Sequence, residues 1–598
     1  MSAGRGVARR LAGGIVGLAA TLSLAAQAAP GVRIEIDGVE RAIADNIRNY
    51  LTLTRYAGRD DLVDAQVRRL SDRAVNEAAD ALRPFGYYSP KIRNRTSRED
   101  ETSWVVRLKI QPGEPVLVTR ADVSFTGAGA DHPLLAEVRA GSGLRVGARL
   151  DHAAYEKLKA DLQRTAREEG FLDAQLERHE MLVDPAQHSA EITLTLATGE
   201  RYEFGPLEIE QEAIDRALLD GFVRFAPGQP YRPARLRATQ FALEDSGYFE
   251  NVTVSPGEID RVNHLVPIVI RGETVKRHRY SVRLGYGTDT GARGKFTWDN
   301  RLVNDRGHRW AFETTLSEVQ QEALVRYLIP IGDPTLEKLE FLTGFTNEDI
   351  GDLESERFEV AGGLTQVLGK WQRVLFLRLI QERTVLPGGD DQTDLLLIPG
   401  ISYSTLPPNF LTGWVREASY YFELSGSPET LGSDASYLRF FSRAERVWQL
   451  DDGPWHLRGR GELGASWVND FSELPASQRF FAGGDRSVRG YPLNDLSPEA
   501  CETDPVDGSQ TGCKKIGGEN KIVATLELER DLPRDLRGAV FFDVGNAFDD
   551  WSDLDFEYSI GIGVRYKLPM LLIGLDVAQS LSDSDRRPRL HLNITQVL

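Results

Sequence analysis

From about residue 276 onward the chain alternates with a period of two, and this constrains its fold more than any other feature. Tyr280, Val282, Leu284 and Tyr286 alternate with Arg279, Ser281, Arg283 and Gly285. Ile522, Ala524, Leu526 and Leu528 alternate with Val523, Thr525, Glu527 and Glu529, and Tyr558, Ile560, Ile562, Val564 and Tyr566 with Ser559, Gly561, Gly563, Arg565 and Lys567. In the last case one face is wholly apolar and the other small, polar or charged, as in a strand with one dry and one wet side. A soluble sandwich would press such faces together, whereas charged and Gly-rich second faces in strand after strand suit a wet lumen. About sixteen such strands are expected, an even number as in single-chain bacterial barrels, and closure removes the unpaired edges of a long antiparallel array.

Loop lengths agree with this reading. With both barrel ends in the periplasm, connections after even strands face inward and are short: 304–307, 451–454, 531–534 and 567–569. Those after odd strands face outward and are longer, such as 387–393 and 425–434. Trp298, Trp310, Trp371, Trp414, Tyr420, Tyr421 and Trp467 lie near strand ends and are expected in interfacial girdles.

The first half, about 31–275, repeats itself loosely. Three helical stretches run into Gly-aromatic turns, Phe85-Gly86-Tyr87-Tyr88, Glu169-Gly170-Phe171-Leu172 and Ser246-Gly247-Tyr248-Phe249, each followed by strands ending in Gly-Glu (113–114, 199–200, 272–273). Val63, Val67, Leu70, Ala74, Ala78 and Leu82 form one apolar helical stripe. Trp104 to Ile110 and Glu191 to Leu196 alternate as half-buried strands, so each unit reads β-α-α-β-β. Order, turn and the barrel that follows resemble POTRA domains, the periplasmic modules of outer-membrane assembly proteins. That resemblance implies an exposed sheet edge able to accept another chain by strand addition.

Arg5, Arg9 and Arg10, an apolar stretch over 11–24 and Ala26-Gln27-Ala28 read as a secretory signal cleaved near Ala28 or Ala29. The net charge of −18 argues against a nucleic-acid partner. Only two cysteines occur, Cys501 and Cys513, and in an exported chain so close a pair is expected to form a disulfide. Neither catalysis nor a cofactor is signalled. Gly459 to Gly464 spells G-x-G-x-x-G, but in mid-strand rather than between a strand and a helix. The nine histidines show no metal-ligand spacing, and no G-x-S-x-G occurs.

The longest segment without a strand pattern, about 470–518, carries Phe480-Phe481-Ala482-Gly483-Gly484-Asp485-Arg486-Ser487-Val488-Arg489-Gly490-Tyr491. A loop this long inside a compact domain is usually functional or disordered, and its aromatics and paired arginines point to docking. It falls after the eleventh strand, hence on the outer side. Gly483, Gly484, Val488, Arg489, Gly490 and Tyr491 resemble the V-R-G-F/Y loop of the outer-membrane barrel assembly and two-partner secretion superfamily. Phe541, Asp543 and Gly545 resemble its F-x-D-x-G motif on the thirteenth strand. The resemblance implies that the loop folds back into the lumen and that Arg489 pairs with an inward acid. Asp543 is the expected partner, with Glu527 and Glu529 as alternatives.

The fold class that follows is α+β POTRA repeats before an all-β, 16-stranded transmembrane barrel. The expected division is signal peptide 1–29, POTRA units 31–114, 115–200 and 201–275, and barrel 276–598. Three POTRA units in a chain of this length are similar to the translocation-and-assembly-module (TamA) branch. That branch implies a TamB-like periplasmic partner anchored in the inner membrane, unfolded outer-membrane protein substrates such as autotransporters, the lipid bilayer, and entry through a seam between the first and last strands. The alternatives are a dedicated exporter of one secreted protein and a passive porin.

Overall fold

The computed structural model describes residues 31–59, 61–100, 103–385, 391–406, 418–450, 453–503, 510–569, 571–583 and 585–596. The expected signal peptide and Trp414 lie outside them. No helix among the described residues is long and apolar enough to cross a membrane.

The first repeat contains β1 (Gly31–Asp37), α1 (Arg41–Tyr50), α2 (Asp64–Leu82), β2 (Lys91–Arg98) and β3 (Ser103–Gln111). The second contains β4 (Leu117–Thr126), α3 (Pro133–Gly141), α4 (His152–Glu168), β5 (Gln175–Asp184) and β6 (Ser189–Ala197). The third contains β7 (Glu203–Glu210), α5 (Arg216–Asp220), α6 (Pro233–Asp245), β8 (Phe249–Pro256) and β9 (Leu265–Thr274). Each sheet places its last strand in the middle, in the orders β1-β3-β2, β4-β6-β5 and β7-β9-β8. The outer strands are edges.

On α2, Val67, Ala74, Ala78 and Leu82 pack on Trp104, Val106, Leu108 and Ile110 of β3, because helical and strand periods each present one apolar face. Val63 is a correction: it is the N-cap and more than half exposed, since the helix begins only at Asp64. Gly86 is left-handed at φ 82°, and a Cβ there would stand 2.6 Å from the Leu150 carbonyl oxygen. That close approach, as much as the helix stop, requires glycine.

The chain forms two compact units, the second containing most of the third repeat together with the barrel. The barrel strands are β10 (His278–Gly287), β11 (Gly291–Asn300), β12 (Arg309–Leu316), β13 (Gln320–Pro330), β14 (Glu337–Ile350), β15 (Leu353–Leu368), β16 (Trp371–Val385), β17 (Asp391–Thr405), β18 (Ala418–Ser427), β19 (Tyr437–Leu450) and β20 (Trp455–Val468). After the long loop follow β23 (Asn520–Leu532), β24 (Leu536–Phe548), β25 (Glu557–Lys567), β26 (Leu571–Ser580) and β27 (Arg589–Gln596), closing a 16-stranded antiparallel barrel by β27–β10 pairing. Within the loop a hairpin, β21 (Glu499–Thr503) and β22 (Gln510–Lys515), corrects the expectation of no strand there. Its strands are short and lack an apolar alternation to reveal them.

Burial is inverted relative to a soluble protein. Val282, Leu284, Leu526, Ile560, Ile562 and Val564 are exposed on the outside, while Glu313, Glu382, Glu423, Glu462, Glu527 and Asp543 are buried inside. Only lipid makes that arrangement favourable, so the wall is that of a membrane-spanning β-barrel. Tyr280 stacks on Trp298, which meets Trp310 edge-on at 4.7 Å, and Tyr420 lies near Trp371. Tyr421 does not join this girdle. Adjacent strand residues face opposite sides, so Tyr421 points inward and donates to the buried Glu423.

The third repeat is clasped to the short connections at the barrel's inner end. Arg224 donates from Nη1 and Nη2 to the two oxygens of Asp333 (2.6 and 3.1 Å) and to Thr335 Oγ1 (2.7 Å). Tyr248 donates to the Gly307 carbonyl (2.6 Å), and the Arg309 guanidinium lies 3.9 Å over its ring.

Candidate functional site: the docked loop and the barrel seam

The loop leaves β20 and turns into the lumen. Phe480 and Gly518 exchange both backbone hydrogen bonds at 2.9 Å, and Ala482 and Leu496 do so at 3.0 Å, so the ingoing and outgoing chains brace each other. Phe480 lies over Gly464, where a Cβ would be 2.4 Å from the ring. The mid-strand glycine of the false dinucleotide motif thus makes room for the loop. Gly483 and Gly484 have φ of 99° and 95°, and turn bonds Ser487 N–H to Gly484, Tyr491 N–H to Val488 and Gly484 N–H to Tyr491 compact the tip. Ala482, Val488, Tyr491 and Leu496 form a small core with Val523 of the wall.

At the tip, Arg489 meets Asp543 in a fork: Nε to Oδ2 at 3.0 Å and Nη2 to Oδ1 at 2.9 Å, with the Arg489 backbone N–H also donating to Oδ2 (3.2 Å). Such bidentate pairs are geometrically strict. Nη1 donates to Glu527 Oε2 (3.1 Å) and lies 3.5 Å from Asp576 Oδ2. Phe541 provides a ring face 3.2 Å from the guanidinium carbon. Burial opposes the charge on Arg489, but hydrogen bonding and attraction from Asp543, then Glu527 and Asp576, hold its pKa above the ordinary arginine value. Ser559 Oγ donates to Asp543 as well.

The other predicted residues fall as follows. At Gly545 a Cβ would be 2.5 Å from the Ile522 carbonyl oxygen, so the glycine permits close approach of β23. Gly490 presses on the wall, with a Cβ position 2.8 Å from Ser559 Cβ and 2.9 Å from Ser580 N. Tyr491 donates to Glu557 and accepts from Ser580 Oγ (2.8 Å). Glu529 serves Arg458 (2.7 Å) and Arg537 (2.8 Å) and is not a partner of Arg489. Cys501 and Cys513 are joined, bracing the hairpin. Among the described residues they and Glu499 make the one metal-like grouping, and both sulfurs are in the bond.

Sequence reasoning missed Asp576 and Asp289, and it placed His591 in a strand as a lumen or girdle residue without its contact to the loop. Asp576 was findable as the lone acid on the polar face of β26, between outward Leu575 and Val577. Asp289 and His591 touch the loop only because the barrel closes.

The wall is uneven where it closes. Among the described residues, β10 pairs with β11 over ten register positions but with β27 over three: Gly285–Thr595, Tyr286–Ile594 and Gly287–Asn593.

Residues 387–596 match the Omp85 superfamily domain. Residues 33–112 match the first POTRA domain of TamA, and 202–271 a POTRA model described as a surface antigen variable number repeat. Three separate stretches of the chain are thus similar to an Omp85-superfamily domain and to POTRA domains. It is 32% identical over 156 residues to "Outer membrane protein assembly factor BamA" of Nitratidesulfovibrio vulgaris (strain Hildenborough), covering 25% of this chain and 18% of that relative. The match therefore spans less than a fifth of that relative's length. The crystal structure of BamA from Haemophilus ducreyi lacking POTRA domains 1–3 aligns over 80% of this chain and 99% of its own, with a TM-score of 0.66 and 15% identity, a likeness of fold. CdiB from Acinetobacter baumannii aligns with a TM-score of 0.45 and 13% identity over 81% and 90% of the two chains.

Proposed function

We propose that this protein assembles or translocates outer-membrane proteins through the seam between β10 and β27. The observation that carries the reading is the three-position ladder at closure against ten for the neighbouring pair. Beyond those three positions the β10 edge pairs with no strand among the described residues, so it can offer backbone groups to an incoming strand, and each hydrogen-bonded rung it gains favours the substrate's own folding. The docked loop stands inside this seam, with Arg489 fixing it to β23, β24 and β26. POTRA edge strands would present substrate from the periplasm.

The match of 33–112 to the first POTRA domain of TamA supports the finer assignment to that branch, with a TamB-like protein as periplasmic partner and POTRA units over 31–114, 115–200 and 201–275. The test is reconstitution of the full chain in liposomes with an unfolded autotransporter barrel, together with in vivo crosslinking from the first repeat. Substrate insertion and capture of an inner-membrane-anchored TamB-like protein support the reading. Steady conductance without insertion would identify a passive channel.

A further inference from the structure

The loop is tied to both sides of the seam through a group of residues other than Arg489's carboxylates. His591 of β27 places Nε2 2.7 Å from the Arg489 carbonyl oxygen. A carbonyl only accepts, so Nε2 carries a proton. The other nitrogen, Nδ1, is buried without a hydrogen-bond partner and lies 3.6 Å from Asp289 Oδ2, with both side chains almost fully buried. Asp289 sits in the turn between β10 and β11, and its Oδ2 accepts the Asp485 backbone N–H (2.7 Å). Asn593 of β27 in turn donates to Asp485 Oδ2 (3.0 Å) and accepts from Arg293 of β11 (2.7 Å). The loop, the turn after the first strand and the last strand therefore meet at one place, at the end of the seam that holds its three rungs.

We propose that His591 is a positioning residue that latches the docked loop across the seam when both its ring nitrogens are protonated. A neutral ring protonated at Nε2 would aim the Nδ1 lone pair at the Asp289 carboxylate; a second proton turns that contact from repulsive to attractive. The other charged groups facing the ring are Arg589 on its own strand, 3.5 Å from Asp289 Oδ1, Asp485 and Arg489 of the loop, and Asp576, opposite His591 in register on β26. Asp576 is occupied by Arg565 and Arg489, and Asp485 Oδ2 by Asn593, which leaves Asp289 as the carboxylate the imidazolium answers. The latch is thus present at low pH and loosens as pH rises through the imidazole range; Arg589 keeps Asp289 partly compensated, so the seam slackens rather than falls open.

The inference rests on the seam reading above, and its test needs no substrate, so the two can fail separately. Full-length protein in lipid nanodiscs is followed by hydrogen exchange, corrected for intrinsic pH dependence, in peptides covering 285–290 and 589–595. Protection is expected to fall several-fold between about pH 5.5 and 8 in the native chain. It should be independent of pH in His591→Gln, which keeps a donor for the Arg489 carbonyl, and in Asp289→Asn, which serves if the first variant folds poorly. Peptides from β15 and β16 report folding. A flat profile in the native chain, or the same slope in both variants, would overturn the proposal.

Discussion

Truncating Arg489 leaves Asp543 and Glu527, both buried, without the cation between them. Arg489→Ala is therefore expected to cost about 3–5 kcal/mol of loop docking, towards the lower end because water reaches the lumen. The loss should appear as protease cleavage within 483–496 of the membrane-embedded protein. Arg489→Lys recovers only part, since an ammonium cannot make the fork to Asp543. The exchange Arg489→Asp with Asp543→Arg also restores only part, because the introduced carboxylate faces Glu527 and Asp576. Gly490→Ala tests contact rather than charge: its methyl would collide with Ser559 and the Ser580 backbone, so the same cleavage should appear with every ion pair chemically intact. How much of this is legible in sequence follows from what alternation encodes. It assigns a side chain to the inner or outer face, which made Glu527 and Glu529 alternatives to Asp543, the partner that the motif resemblance implies. It does not assign height along the wall, so Glu529, one step further from the loop tip, could be separated from Glu527 only by register. Residues brought together by closure, such as Asp289 and His591, lie some three hundred positions apart and leave no local trace.

At the scale of elements, the clasp between the third repeat and the barrel hangs on Arg224 and Asp333. Burial disfavours the Asp333 carboxylate, but hydrogen bonds from Arg224 and Thr335 outweigh it and hold its pKa below the ordinary range. A carboxyl depressed on folding stabilises above its unfolded value and loses that stabilisation as pH falls through the folded one. The clasp should thus be intact above about pH 4 and weaken below it. Arg224→Ala should cost about 1 kcal/mol, discounted for partial exposure, read as faster hydrogen exchange in α5 and in 331–336 without change in the strands facing lipid. Removing the disulfide with Cys501→Ser should destabilise the β21–β22 hairpin by at most about 3 kcal/mol and leave Arg489 docked, since no ion pair of the tip depends on it. The hairpin and Tyr421 show the limits of strand reading. Polar strands of five or six residues carry no amphipathic signal, and an aromatic near a strand end is a girdle residue only when its parity faces lipid.

For the whole molecule, strand count, closure and the order of repeats follow from pattern, because a two-sided alternation without helices to cover it has one stable outcome in a membrane. The length of the closing ladder does not follow, since β10 and β27 are as regular in sequence as their neighbours. That ladder is where the proposed function resides. The direct measurement is a disulfide across it, between Tyr286→Cys and Ile594→Cys, with Phe296→Cys and Thr314→Cys, paired on β11 and β12, as a lock within the continuous wall. In liposomes, oxidation of the seam pair should stop substrate insertion and reduction should restore it, relative to the native chain treated identically to account for Cys501–Cys513; the wall pair should have no effect in either state. Insertion that proceeds undiminished with the seam pair fully oxidised would contradict assembly through the seam.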